Sequence, residues 1–379
     1  MLRFFAAAFV ALYHLAFYNR VGPEMQANPL MAHFNVYEGL TPFFNTGWIG
    51  VQIFFVISGF VIAYTAFGRT PGAFLESRVA RLVPGVAVCA TAIVPVMLLS
   101  GDGLGETIRA YLMSLAFWPT GPWVTETFWT LPIEVIFYAT IFMLIRFRRI
   151  DKLEWLAIGI GSASALGWVA YWVTMAPGVP GVLHQLVSLG LIRVGRFLLL
   201  EHGCFFALGV LMWLIAVRGV TRLRVVMATL MFAAGTLQVV AEAYRAAAWA
   251  NYEAAPLTAA AIWVVAMGAL IVSIAANGPI NRVLGAHART IRTLGLITFP
   301  LYLLHQPFGT LITGTLLASG VAPGMALVAG LVAVMLLSYL VAEHTEPLAR
   351  RGVMRGMTAL AAVPIPAIFQ PARTRTALR

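Results

Sequence analysis

"GWIGVQIFFVISGFVIAYTAF", residues 47–67, runs for 21 residues without one charged side chain. About 20 apolar residues is what a helix needs to cross the hydrocarbon core of a bilayer. A membrane β-strand needs only about half that length and alternates in polarity. Residues 47–67 show no such alternation, and an open strand is not allowed in lipid, so the stretch reads as a transmembrane helix. Nine similar runs can be drawn around it, at roughly 2–18, 82–100, 127–147, 153–173, 191–217, 224–243, 255–276, 293–315 and 323–343. The composition agrees: 61% of the 379 residues are hydrophobic and only 10% are charged, too apolar for a soluble domain. The expected fold is therefore an all-α polytopic membrane protein of about ten transmembrane helices.

The formal net charge is +11, and all but one of the 25 basic residues are arginines, Lys152 being the exception. Nucleic-acid binding would gather that charge on one soluble face. Here it falls in short clusters between apolar runs. Twenty of the 25 lie in Arg3, 68–81, 146–152, 218–224, 277–292 and the segment after 343, which are alternate connections. That asymmetry predicts that both termini are cytoplasmic. Residues 1–350 form the expected membrane domain, and 351–379 a basic, poorly ordered cytoplasmic tail. The long opposite connections, 19–46 and 101–126, are rich in Pro, Gly and aromatics, and 105–117 is a candidate short interfacial helix. Cys89 and Cys204 both fall inside spans, and neither a disulfide nor a zinc site is expected.

Ionisable groups inside spans are costly and point to function. They are His14, Glu134, Arg193, Arg196, Glu201, His202 and His305. At about 1.5 Å rise per residue, His14 lies roughly 16 Å beyond Arg3 and His305 roughly 20 Å beyond Arg292. Glu134, about seven residues in from the opposite side, falls at similar depth in a core about 30 Å thick. A membrane histidine is also a common hydrogen-bonding packing residue, so His14 and His305 admit both readings. An unpaired carboxylate is harder to explain by packing alone. Adjacent residues on a helix point to different faces, so Glu201 and His202 are expected not to share a site. They read as structural, paired with Arg193 or Arg196. Arg78 and Arg81, three apart on one helical face, suit either phosphate binding or positive-inside anchoring, as does Arg3.

Several motifs together resemble the acyltransferase 3 family, whose members O-acylate extracytoplasmic glycans. Arg3 and His14 match its first-helix pattern of a basic residue, ten residues and a histidine. "GVQIFFVISGF" resembles its second-span segment, with Ser58, Gly59 and Phe60 in place, and Arg78 and Arg81 match its R-x-x-R. "WTLPIEVIFY" carries Trp129, Thr130, Leu131, Glu134, Phe137 and Tyr138 of the fourth-span signature. "LYLLHQP" supplies Tyr302, Leu303, His305 and Pro307, and "EHTEP" at 343–347 the closing Glu and Pro. Phe299 and Pro300 stand where the family has Tyr-Ser. Without a hydrolase-like domain of the SGNH type, the chain is similar to the membrane-only members.

The resemblance implies an enzyme of the bacterial inner membrane. It would move an acyl group, acetyl by preference, from cytoplasmic acyl-CoA to a hydroxyl of an extracytoplasmic or lipid-linked glycan. Arg3, Arg78 and Arg81 would bind the donor's phosphates. His14 would be the general base, Glu134 would orient its imidazole, and His305 would donate to the oxyanion or the acceptor. Ser58, Trp129, Tyr138 and Tyr302 are implied substrate contacts, with 19–46 and 101–126 holding the acceptor. The implied partners are acyl-CoA, the glycan and membrane lipids, with neither a metal nor nucleic acid. A rival from another class is a proton-coupled secondary transporter using mid-membrane His and Glu. Such folds usually carry inverted repeats, and none is recognisable here.

Overall fold

A computed structural model describes residues 1–22, 29–276, 278 and 285–362. The described residues are 85% helical and contain no strand. The long helices are α1 (Leu2–Val21), α2 (Ile49–Ala66), α3 (Pro71–Leu99) and, after a short α4 (Leu104–Leu115), α5 (Thr130–Arg146). There follow α6 (Leu153–Thr174), α7 (Gly181–Ser188), α8 (Gly203–Arg218), α9 (Arg222–Ala250) and α10 (Pro256–Ala275). Last come α11 (Ala288–Ala318), α12 (Pro323–Leu340) and α13 (Glu346–Ala362).

Among the described residues, eight helices are long and apolar enough to cross a membrane. Two segments of the expected ten are of a different kind. α8 is apolar but only 16 residues long. α11 has ample length at 31 residues but carries the polar run His305-Gln306 beside Pro307. The run expected as a single helix over 191–217 is broken. A π turn at Leu189–Val194, a 3-10 turn at Gly195–Leu198 and a further turn at 199–202 precede α8. α4 forms where a short helix is expected. α13 carries the chain to Ala362, into the segment expected as a tail; residues 363–379 lie outside the described residues.

The exterior is apolar, as lipid requires: Leu166, Leu257 and Val265 are exposed on α6 and α10. With no hydrophobic drive between helices in lipid, close packing must hold the bundle. α2 and α8 cross where Gly59 faces the backbone of Phe206 and Gly209 faces that of Val56; a Cβ at either would strike a main-chain carbonyl. Gly50 similarly admits the backbone of Ala6, which seats α1 on α2. α1 also packs on α11. There Leu15 fills the space left by Gly309, and Asn19 Nδ2 donates to Thr310 Oγ1 at 2.8 Å.

One end of the bundle collects arginines. α3 starts there, its Thr70 cap accepting from Ala73 N ahead of Pro71. At the same end Arg218 lies over the Phe67 ring at 4.3 Å, and Arg224 bonds Glu154 at 2.7 Å and the Arg218 carbonyl at 3.2 Å.

Candidate active site

Two cavities occupy the bundle on either side of a thin wall. The first, about 340 Å³, lies toward the arginine-bearing end and is lined by Arg3 of α1, Arg78 and Arg81 of α3, and Arg350 of α13. Ser58, Glu134, Tyr138 and Tyr302 line it as well. The second, about 210 Å³, is lined by His14, Trp129, Glu201, His202, Glu242 and Tyr302 among others. Val51 and Tyr302 belong to both linings, so they form the wall.

In the arginine chamber, stacking rather than ion pairing places two of the guanidiniums. Arg78 lies over the rings of Phe74 and Tyr138 at 5.5 and 5.6 Å, and Arg81 over Phe299 at 5.1 Å. Phe299, which departs from the family pattern, therefore has a definite task here as the shelf under Arg81. Among the described residues no carboxylate lies within 4.0 Å of Arg3, Arg78, Arg81 or Arg350. The Nε atoms of Arg3 and Arg78 are buried without a hydrogen-bond partner. Like charges gathered and desolvated in this way are costly unless an anion joins them. Phosphate oxygens match the forked donors of arginine.

The histidine pair forms where α1 widens. A π turn at His14–Tyr18 interrupts α1, with His14 as the first residue of the turn, the type of local bulge that often marks a functional position. His14 Nδ1 lies 2.9 Å from the Val10 carbonyl and 3.1 Å from His305 Nε2. His305 Nδ1 lies 3.0 Å from the Leu301 carbonyl. These neighbours assign the ring protons. Facing a carbonyl, His305 Nδ1 must donate, which leaves its Nε2 as an acceptor in the neutral ring. His14 Nδ1 then carries a proton between two acceptors, and His14 Nε2 is the free lone pair. His305 is fully buried, whereas His14 keeps an accessible edge on the second chamber.

Of the three groups at similar depth, His14 and His305 meet and Glu134 lies apart from them. Its Oε1 accepts from Ser58 Oγ at 3.1 Å and from Tyr138 OH one turn further along α5. The His14 imidazole is thus oriented by Val10 and His305, and Glu134 belongs to the arginine chamber. His305 is likewise committed to His14 through the nitrogen that would otherwise donate to an oxyanion. Ser58 and Tyr138 sit beside Glu134, Trp129 lies in the histidine chamber, and Tyr302 stands between the chambers.

Glu201 and His202 correct the expectation that neighbours cannot share a site. They lie in the turn before α8 rather than within a helix, and both line the histidine chamber. His202 Nε2 is 3.5 Å from Glu201 Oε2, and Arg245 Nη1 is 3.8 Å from Glu201 Oε1 and 2.7 Å from Glu242 Oε2. Their expected partners Arg193 and Arg196 have side chains outside the described residues. Sequence reasoning also missed Gln238 and Glu242 of α9 and Arg350 of α13. The i, i+4 spacing of Glu346 and Arg350 was the available signal for the last. Cys89 and Cys204 are buried free thiols. Among the described residues no three His, Cys, Asp or Glu side chains are grouped to hold a metal ion.

No curated protein and no solved structure gives a match to this chain. A family model described as an acyltransferase domain, that of acyltransferase 3, matches residues 1–343, which contain the histidine pair, the wall and three of the four chamber arginines. The chain belongs to the acyltransferase 3 family and is a polytopic membrane acyltransferase.

Proposed function

We propose that the protein transfers an acyl group, acetyl by preference, from acyl-CoA to a hydroxyl of an extracytoplasmic or lipid-linked glycan. The arginine-bearing end faces the cytoplasm of a bacterial inner membrane, as the distribution of basic residues favours, with both termini on that side. The carrying observation is the pair of chambers meeting at Val51 and Tyr302, unpaired guanidiniums in one and the His14–His305 pair in the other.

The phosphates of acyl-CoA bind Arg3, Arg78 and Arg81, and the pantetheine arm carries the thioester toward the wall. His14 lies about 16 Å along α1 from Arg3, so one helix spans the distance from phosphate site to base. The glycan hydroxyl enters the other chamber, where aromatic walls such as Trp129, and Tyr18 stacked on Trp249, suit the faces of a sugar. The hydroxyl oxygen attacks the thioester carbonyl carbon while its proton passes to His14 Nε2. Collapse of the tetrahedral intermediate breaks the carbon–sulfur bond, and the proton then goes to the leaving thiolate, giving CoA and the ester. His305 accepts from His14 Nδ1 throughout, so it fixes the ring and stabilises the imidazolium without touching substrate. Glu134, held by Ser58 and Tyr138, tempers the positive charge of the donor chamber.

Membranes carrying His14→Ala, with the protein still inserted, are expected to lose transfer of label from acetyl-CoA to glycan. Transfer at the wild-type rate would overturn this mechanism.

A further inference from the structure

The family match ends at residue 343, yet two side chains of the arginine chamber come from beyond it. A π turn at Val341–Thr345 joins α12 to α13, and α13 packs along α3. Its first turn and the next place Glu346 and Arg350 on one face, and both line the chamber with Arg3, Arg78 and Arg81. The position of Glu346 is built in. A Cβ at Gly85 would lie 2.6 Å from the Phe299 ring and 3.7 Å from Glu346 Cδ, so the bare Gly85 is what lets that ring settle against α3 beside Glu346. Arg81 lies over the same ring. Glu346 shares the chamber with Arg81 and Arg350 without forming an ion pair with either. Four guanidiniums and two carboxylates, Glu134 and Glu346, thus share a cavity with an excess of two positive charges.

We propose that α13 is part of the donor site. Arg350 is a fourth phosphate-binding guanidinium, and Glu346 is an internal counter-anion that competes with donor phosphate for Arg81 and Arg350. This rests on the assignment of the arginine chamber to acyl-CoA. It gives two residues of one helix face opposite signs. Removing Arg350 weakens donor binding, whereas neutralising Glu346 strengthens it because the phosphates no longer share the cavity with that negative charge.

The test is calorimetric titration of the full chain in neutral detergent with CoA, run with and without phosphatidylglycerol. Arg350→Ala is expected to weaken CoA binding about tenfold or more, and Arg350→Lys by less, since the ammonium keeps charge but loses the fork. Glu346→Gln is expected to tighten binding about threefold or more by removing like-charge repulsion of the phosphates. Arg351, exposed on the same helix and outside the chamber, serves as control: Arg351→Ala is expected to stay within about twofold. Wild-type affinity in Arg350→Ala would overturn the proposal. So would weakened binding in Glu346→Gln, which would make the two residues a structural pair. Loss of phosphatidylglycerol binding in Arg350→Ala with CoA binding intact would also overturn it, as Arg350 would then be a lipid anchor. Failure of the wild type to bind CoA contradicts the donor assignment itself. Normal wild-type binding with an unaltered Arg350→Ala contradicts the role of α13 alone.

Discussion

The two chambers solve opposite problems with the same scarce resource, polar side chains inside a membrane protein. In the arginine chamber Arg78 and Arg81 lie over aromatic rings, the four cations have no ion pair among the described residues, and the buried Nε atoms of Arg3 and Arg78 are unsatisfied. In the histidine chamber two pairs are already made, His14 with His305 and, beside it, Arg245 with Glu242, although Gln238 Oε1 and Thr127 Oγ1 are buried without a partner. An uncompensated cluster of cations gains most from an anion that completes it, and a histidine pair already hydrogen-bonded is arranged for proton transfer. The difference is the basis of the proposed division, with donor affinity in the first chamber and the chemical step in the second.

That division is open to attack from both sides. The largest effect is expected from His14→Ala, with kcat down at least about hundredfold because a positioned general base is lost, and KM for acyl-CoA nearly unchanged. His305→Ala comes next. It removes the acceptor of a charge-assisted hydrogen bond, at about 1.5–3 kcal/mol, or roughly ten- to hundredfold in kcat. His305→Gln, which keeps an acceptor, should recover part of that loss, a result that a purely packing role would not produce. Arg78→Ala combined with Arg81→Ala should instead raise the KM for acyl-CoA, by about tenfold or more, with kcat little altered. An unchanged KM would return both residues to the role of topology anchors. The smallest effect is expected from Glu134→Gln, with kcat within about threefold of wild type, because its carboxylate bonds Ser58 and Tyr138 rather than His14. A fall as deep as that of His14→Ala would show that the chambers are not separate. All four are read from initial rates of label transfer in membranes at varied acetyl-CoA.

Much of this arrangement is legible in the amino-acid sequence. The apolar runs are set by bilayer thickness and, apart from 191–217, fold as helices, and the spacing of Arg3 and His14 is a length along one helix. The pairing of His14 with His305 rests on depth, which the helical rise supplies, but contact also needed Leu15 over Gly309 and Asn19 on Thr310. No linear pattern reveals those. Glu134 lies at a similar depth by count, yet its rotamer is decided by Tyr138 one turn away and Ser58 on another helix. The Glu201–His202 reading assumed a helix and so inherited the wrong geometry. Once the backbone leaves the helix at 189–202, adjacent side chains can turn into one cavity. Arg350 was hidden by its neighbourhood, a basic run that reads as topology until α13 is seen against α3.

The separation of binding from chemistry is tested most directly by measuring acetyl-CoA affinity and label transfer on the same preparations of wild type and His14→Ala. The account predicts equal Kd values for acetyl-CoA and transfer only in the wild type. A His14→Ala protein that no longer binds acetyl-CoA, or one that binds it and still transfers label, would contradict it.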